Sequence, residues 1–175
     1  MICIKNLYII IILILSLFKT VLAQNIVINE FVSSNKSTLL DSDNEFNDWI
    51  EIYNNGTQQV NLLNYSLSDD SANLSKWAFP EIILSPGGYL TIFASGKDRK
   101  DTAELHTNFK ISKLGESIFL TNNMSNIIST VCPIAIPTDK SFGCIPNGST
   151  NMTILNTPTP NSNNLNGDGI YCSHQ

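Results

Sequence analysis

The chain is predicted to be an all-β sandwich in a single domain, on three observations. Apolar and polar residues alternate over short stretches, turn formers separate those stretches, and helical periodicity is scarce. Trp49-Ile50-Glu51-Ile52-Tyr53 puts Ile50 and Ile52 on one face. Residues 65–68, 89–93 and 117–121 repeat the period of two, and 26–31, 60–62, 76–79, 127–131 and 141–145 are further strand candidates. Between them sit Asn54-Asn55-Gly56, Ser85-Pro86-Gly87-Gly88, Leu114-Gly115 and Pro146-Asn147-Gly148. Glycine and asparagine tolerate positive φ, and proline fixes its own. Many brief strands at this spacing make a sandwich or a barrel.

Two segments depart from the strand rhythm. Residues 33–48 are too polar for a strand and too irregular for a helix, so they are expected to form a long loop. From Thr157 the chain has almost nothing apolar to bury. Residues 161–175 are therefore expected as a flexible tail, because burial there does not offset the entropy of ordering.

The N-terminus reads as a secretory leader. Lys5 supplies a positive charge, Leu7 to Leu17 is almost purely apolar, and Val21-Leu22-Ala23 has the small residue that cleavage needs. The apolar run is short for a membrane span of ~20 residues. Cleavage after Ala23 gives a sandwich over 24–160 that is secreted or held at the cell surface. It also removes Lys5 and Lys19, which takes the net charge from −5 to −7. So acidic a chain disfavours nonspecific contact with nucleic acid or anionic membrane.

Export permits disulfides. Cys132 and Cys144 flank a turn-rich segment and are expected to pair across it, leaving Cys172 free or intermolecular. Closing so short a loop contributes about 3 kcal/mol at most in the chain-entropy picture.

Val27-Ile28-Asn29-Glu30-Phe31 leads into an acidic loop ending Asp48-Trp49-Ile50-Glu51-Ile52-Tyr53-Asn54. Tyr65-Ser66-Leu67-Ser68-Asp69-Asp70, Lys76-Trp77-Ala78-Phe79-Pro80 and Leu84-Ser85-Pro86-Gly87-Gly88-Tyr89-Leu90 follow. His106-Thr107-Asn108-Phe109, Lys140-Ser141-Phe142-Gly143 and Thr157-Pro158-Thr159-Pro160-Asn161 continue the series. In this order the motifs resemble the lamin tail domain as it occurs in secreted bacterial proteins. The resemblance implies an immunoglobulin-like sandwich without catalysis of its own, serving as an interaction or attachment module for a protein, glycan or surface polymer. Cys132 and Cys144 depart from the pattern.

Candidate chemistry is sparse. Asp41, Asp43, Glu45 and Asp48 are the candidate metal ligands, since alternating carboxylates suit Ca²⁺, which takes six to eight oxygens. The glycine and glutamate of an EF-hand are missing, and the ordinary reading is a solvated loop with no cofactor. A calcium-stabilised adhesion or matrix component is the alternative this loop suggests. Lys97, Arg99, Lys100, Lys110 and Lys113 are the basic cluster, suited to an anionic glycan, a phosphate or a neighbouring molecule's acidic loop. Trp49, Trp77, Tyr53, Tyr65 and Tyr89 read as packing before they read as a glycan face. A small exported hydrolase would have Asp48 and Glu51 as its paired carboxylates, or His106, one of two histidines; no nucleophile elbow or HExxH accompanies them. Seven Asn-X-Ser/Thr triplets, at Asn35, Asn55, Asn64, Asn73, Asn123, Asn147 and Asn151, are expected by chance in so asparagine-rich a chain.

Overall fold

The structure is a computed structural model describing residues 26–165, 167 and, for the backbone, 172–173. The expected leader and the side chain of Cys172, expected free or intermolecular, lie outside the described residues. The described chain is all strand, turn and loop.

Eight strands make the larger sheet. In spatial order they are β14 (Cys172–Ser173), β13 (Asn151–Leu155), β12 (Ser141–Cys144), β1 (Ile26–Val32), β2 (Trp49–Asn54), β7 (Tyr89–Phe93), β9 (Glu104–His106) and β8 (Lys100–Asp101). Every pairing is antiparallel except β7 with β9. The second sheet runs β11 (Ile127–Val131), β10 (Ile118–Thr121), β4 (Ser66–Ser68) and β5 (Trp77–Ala78). A small pair, β3 (Val60–Asn61) with β6 (Ile83–Leu84), completes the set.

The inner faces of the two large sheets share one core. Ile26, Ile28, Ile50, Ile52 and Ile92 from the larger sheet pack with Leu67, Trp77, Ile118, Leu120 and Val131 from the smaller. Trp77 meets Phe79 edge-on at 4.9 Å between ring centres. The Ile28 amide donates to Ser129 Oγ at 3.0 Å and pins the sheets together at one edge.

Alternation along β1 is interrupted once, and the interruption decides what faces outward. Ile28 pairs with Ile52 and Glu30 with Glu51, so Asn29 is the extra residue of a β-bulge. Without it, period two would turn Glu30 into the core beside Ile26 and Ile28. With it, Phe31 enters the core, where it meets Phe142 at 6.0 Å, and Glu30 turns outward. Three cross-strand rows result on the outer face: Val27–Tyr53–Tyr89, Glu30–Glu51–Thr91 and Val32–Trp49–Phe93.

The outer face is not left to solvent. Val32, Trp49 and Phe93 form a second apolar cluster with Leu39 from the loop between β1 and β2. The expected flexible tail is corrected over its first part: Asn161–Leu165 belong to a strap, residues 157–165, hydrogen-bonded across the middle row. Backbone and side-chain bonds to buried groups, absent from a composition count, supply what the tail's composition lacks. The expected cysteine pairing is also corrected. Cys144 is a free, buried thiol whose Sγ lies 3.5 Å from the Ile28 carbonyl oxygen, and Cys132 is disulfide-bonded, though not to Cys144. Cys144 sits inside β12, facing the core rather than across a turn.

Ile50 is fully buried at the centre of the shared core. Ile50→Ala is expected to lower the unfolding free energy in urea by about 2–5 kcal/mol with an unchanged denaturant slope. A loss below about 0.5 kcal/mol would place Ile50 outside the core.

Candidate functional site

Two polar constructions lie on the outer face, one at the β1–β2 loop and one under the strap.

The loop is organised around Asn35. Its Nδ2 donates to the carbonyls of Leu39 and Asn47 at 2.7 and 2.8 Å, and its Oδ1 accepts the Thr38 amide and hydroxyl. The Asn35 amide in turn reaches Asp48 Oδ1 at 2.9 Å. Asp139, at φ 60°, caps the loop start by accepting the amides of Lys36 and Ser37. Two of the seven triplets are thus already committed: Asn35 is buried with its amide hydrogens used, and Asn147 donates to Tyr89 and Asn163. The asparagines of the other five are exposed.

The far side of the loop carries the expected metal ligands. Asp41, Asp43 and Glu45 bring carboxylate oxygens within 4.8 Å of one another. Asp48 does not join them; it serves the Asn35 amide. The Lys97 ammonium stands among the three carboxylates at 2.5, 2.6 and 2.8 Å. Arg99 adds a contact to Asp43 at 2.7 Å and one to Glu104 at 3.3 Å, and Glu104 accepts the Ser42 amide and hydroxyl. Lys97 and Arg99 therefore bind the chain's own acidic loop. Of the remaining cluster, Lys100 stands 5.8 Å over the Trp77 ring.

Burial works against the Asp41 charge, but Lys97, the Glu45 amide and Asn47 outweigh it and lower the carboxyl to about 2. Lys97 is raised in return by the three carboxylates, against its own desolvation.

Beside this network, His106 is fully buried between Ser95 Oγ and Glu104 Oε1, each 2.8 Å from a ring nitrogen, and stacks on Phe93 at 5.2 Å. Serine, histidine and carboxylate in series are the elements of a nucleophile relay. Here the serine hydroxyl also accepts the Lys97 amide, and the ring has no exposed surface. The series ties the end of β7 to β9. Nor do Asp48 and Glu51 form the carboxylate pair of a hydrolase, since Asp48 belongs to the Asn35 hub and Glu51 to the strap.

Under the strap, Glu30 and Glu51 face each other as cross-strand neighbours, both fully buried. Glu30 accepts the Ser141 hydroxyl and the Thr159 amide (2.9 Å) on Oε1, with the Thr159 hydroxyl 2.9 Å from Oε2. Glu51 accepts Asn29 Nδ2 at 3.1 Å and the Asn161 amide at 2.5 Å. Asn164, also buried, donates to the Asn29 and Cys144 carbonyls. Desolvation raises both carboxyls, Glu51 to about 7, where the Glu30 charge adds to it and the two N–H donors oppose it. Gly143 is the floor beneath Asn164: a Cβ there would come within 2.6 Å of its Nδ2. A cleft of about 370 Å³ beside the strap is lined by Asn156, Thr157, Thr159 and Leu165.

With this geometry in view, comparison with known proteins decides the family. The family model described as Lamin Tail Domain matches residues 22–134. The chain belongs to the lamin tail domain family. No curated protein matches it. The lamin tail domain is a non-catalytic immunoglobulin-like fold, and the two-sheet core fits it. The matched stretch holds both Glu30 and Glu51 but stops short of β12, β13 and the strap that close over them. The motif reading had found both glutamates but paired Glu51 with Asp48 rather than Glu30, because the bulge hides the cross-strand match between Glu30 and Glu51.

Two outcomes test the loop and the floor. Because the Lys97 ammonium already occupies the space among the three carboxylates, Ca²⁺ and chelator should give the native protein the same thermal midpoint. Lys97→Met, which keeps the stem and removes the charge, should make the midpoint calcium-sensitive. A native midpoint that rises several degrees with Ca²⁺ would contradict this. Gly143→Ala should lose about 1–3 kcal/mol, read by urea unfolding, since it forces either β12 or Asn164 to move; unchanged stability would show that the strap does not seat there.

Proposed function

We propose that this lamin tail domain acts outside the cell as a protein-binding or attachment module, and that its contact surface is the tip of the β1–β2 loop. One observation carries the reading. Leu40 and Phe46, 47% and 44% exposed, are joined by a β-bridge on a loop whose polar arms are bound on both sides. Apolar side chains held in place on a rigid scaffold need little further ordering on binding, which is how loops on sandwiches earn affinity. Asp43 and Glu45, which lie between the two in the same loop and pair with Lys97 and Arg99, supply polar groups beside them.

Export rests on the leader pattern of Lys5, the apolar run 7–17 and Val21-Leu22-Ala23. Among the described residues no helix is long and apolar enough to cross a membrane. The family supplies the coarse role, an immunoglobulin-like interaction domain; the extracellular setting and the loop surface are ours. The calcium-dependent alternative would require an ion to displace the Lys97 ammonium, and a hydrolase would require a route to the buried His106.

Labelled protein added to washed producing cells tests the reading. Leu40→Asp with Phe46→Asp is expected to weaken retention about tenfold or more while the thermal midpoint stays put, because both side chains are already half in water. Unchanged retention by the folded double variant would move the contact surface elsewhere, and no retention of the native protein would remove the attachment role.

A further inference from the structure

We propose that the strap, residues 157–165, is a proton-coupled latch: it closes over Glu30 and Glu51 with uptake of a proton and lifts from the sheet when both carboxylates are charged.

The argument starts from what the strap brings and what it lacks. It contributes two backbone amides, from Thr159 and Asn161, and the Thr159 hydroxyl, all neutral donors. It carries no ionisable side chain. Among the described residues no lysine, arginine or histidine donates to either carboxylate. Closing the strap thus removes water from two adjacent acids without supplying a positive charge. Two carboxylates side by side in that setting cannot both stay ionised cheaply.

The pair is also asymmetric. Glu30 has three donors around it, Ser141 Oγ, Thr159 N and Thr159 Oγ1, and these favour its charged form. Glu51 has two, Asn29 Nδ2 and Asn161 N, and is the one raised to about 7. The closed latch therefore holds its proton at Glu51.

The other titratable groups near the pair are two tyrosines and a thiol. Tyr89 on β7, raised by burial and by Tyr53 and Glu51, titrates above the ordinary tyrosine range. Cys144 on β12 is pushed up to about 12 by burial, with Glu30 adding to it. Tyr53 of β2 lies one row along and packs on Tyr89 at 4.9 Å.

The sign follows from linkage. A carboxyl raised from 4.5 in the open chain to about 7 under the strap favours the closed state fully below pH 4.5. That preference is lost as pH rises through about 7.

Amide exchange followed by NMR, corrected for the intrinsic pH dependence of exchange, reads the latch directly. In the native protein, protection of the Thr159 and Asn161 amides should fall on the order of tenfold between about pH 5.5 and about pH 8.5. Protection of β2 amides should change far less. Glu51→Gln, a neutral shape mimic, should hold the strap closed across the whole range. A second variant covers the case in which Glu51→Gln does not fold. Asn161→Pro removes one donor at a position of φ 60° that proline cannot adopt, so it should free the strap at every pH. The Glu51 carboxyl, followed by its ¹³C shift, should then fall back towards 4.5. Flat strap protection in the native protein would overturn the proposal. So would a Glu51→Gln variant with the native pH dependence, or a Glu51 midpoint unmoved in Asn161→Pro.

Discussion

A single extra residue in the first strand sets the character of the molecule. Asn29 bulges from β1, and from there the strand's faces are exchanged: Phe31 goes in and Glu30 comes out opposite Glu51. Asn29 then uses its own amide to hold what it has displaced. Its Nδ2 donates to Glu51, its Oδ1 accepts the Gly148 amide at 3.0 Å, and its carbonyl accepts Asn164. The bulge, the acid pair, the turn after β12 and the strap are therefore one construction. Bulges usually re-aim a side chain. This one re-aims two acids to where a third segment must cover them.

The outer face is closed at both ends by different chemistry. At the loop end the carboxylates meet cations, and Asp41 stays charged down to about 2. At the strap end the carboxylates meet only neutral donors, and Glu51 is raised to about 7. The two ends therefore respond in opposite directions. The Asp41 contribution to stability is present above the ordinary aspartate value of 3.8 and is lost as pH falls towards 2. The Glu51 contribution is present below 4.5 and is lost as pH rises through about 7. Taken together they put the greatest stability in mildly acidic solution, between the two.

The inner face was legible in the sequence because period-two alternation speaks directly about burial. Ile50 and Ile52, or Leu67 and Leu120, could be read from neighbours one and two places away; Trp77 belongs to this core, whereas Trp49 is buried in the outer cluster. The outer face was not legible, because its coverings come from far along the chain. The strap that binds Glu30 is about 130 residues away, and its sequence of Thr, Pro, Asn and Ser looks like a tail until the acids beneath it are seen. β13 was missed for a related reason: Asn151-Met152-Thr153-Ile154-Leu155 buries Met152, Thr153 and Leu155, so no alternation marks it. The acidic loop was read correctly as charged, but its salt bridges to Lys97 were not foreseen. Lys97 lies 54 residues from Asp43, and pattern within the loop says nothing of it. Two signals were available. An internal Asn-Glu in an otherwise apolar strand hints at a bulge, and Phe142-Gly143 hints at a close approach that only glycine admits.

Nuclear Overhauser contacts between the Thr159 and Asn161 amide protons and the Glu30 and Glu51 side chains, recorded in mildly acidic solution, test the central claim most directly. The account requires both contacts together with dispersed shifts for residues 157–165. Random-coil shifts and no contact from the strap to either glutamate would contradict it.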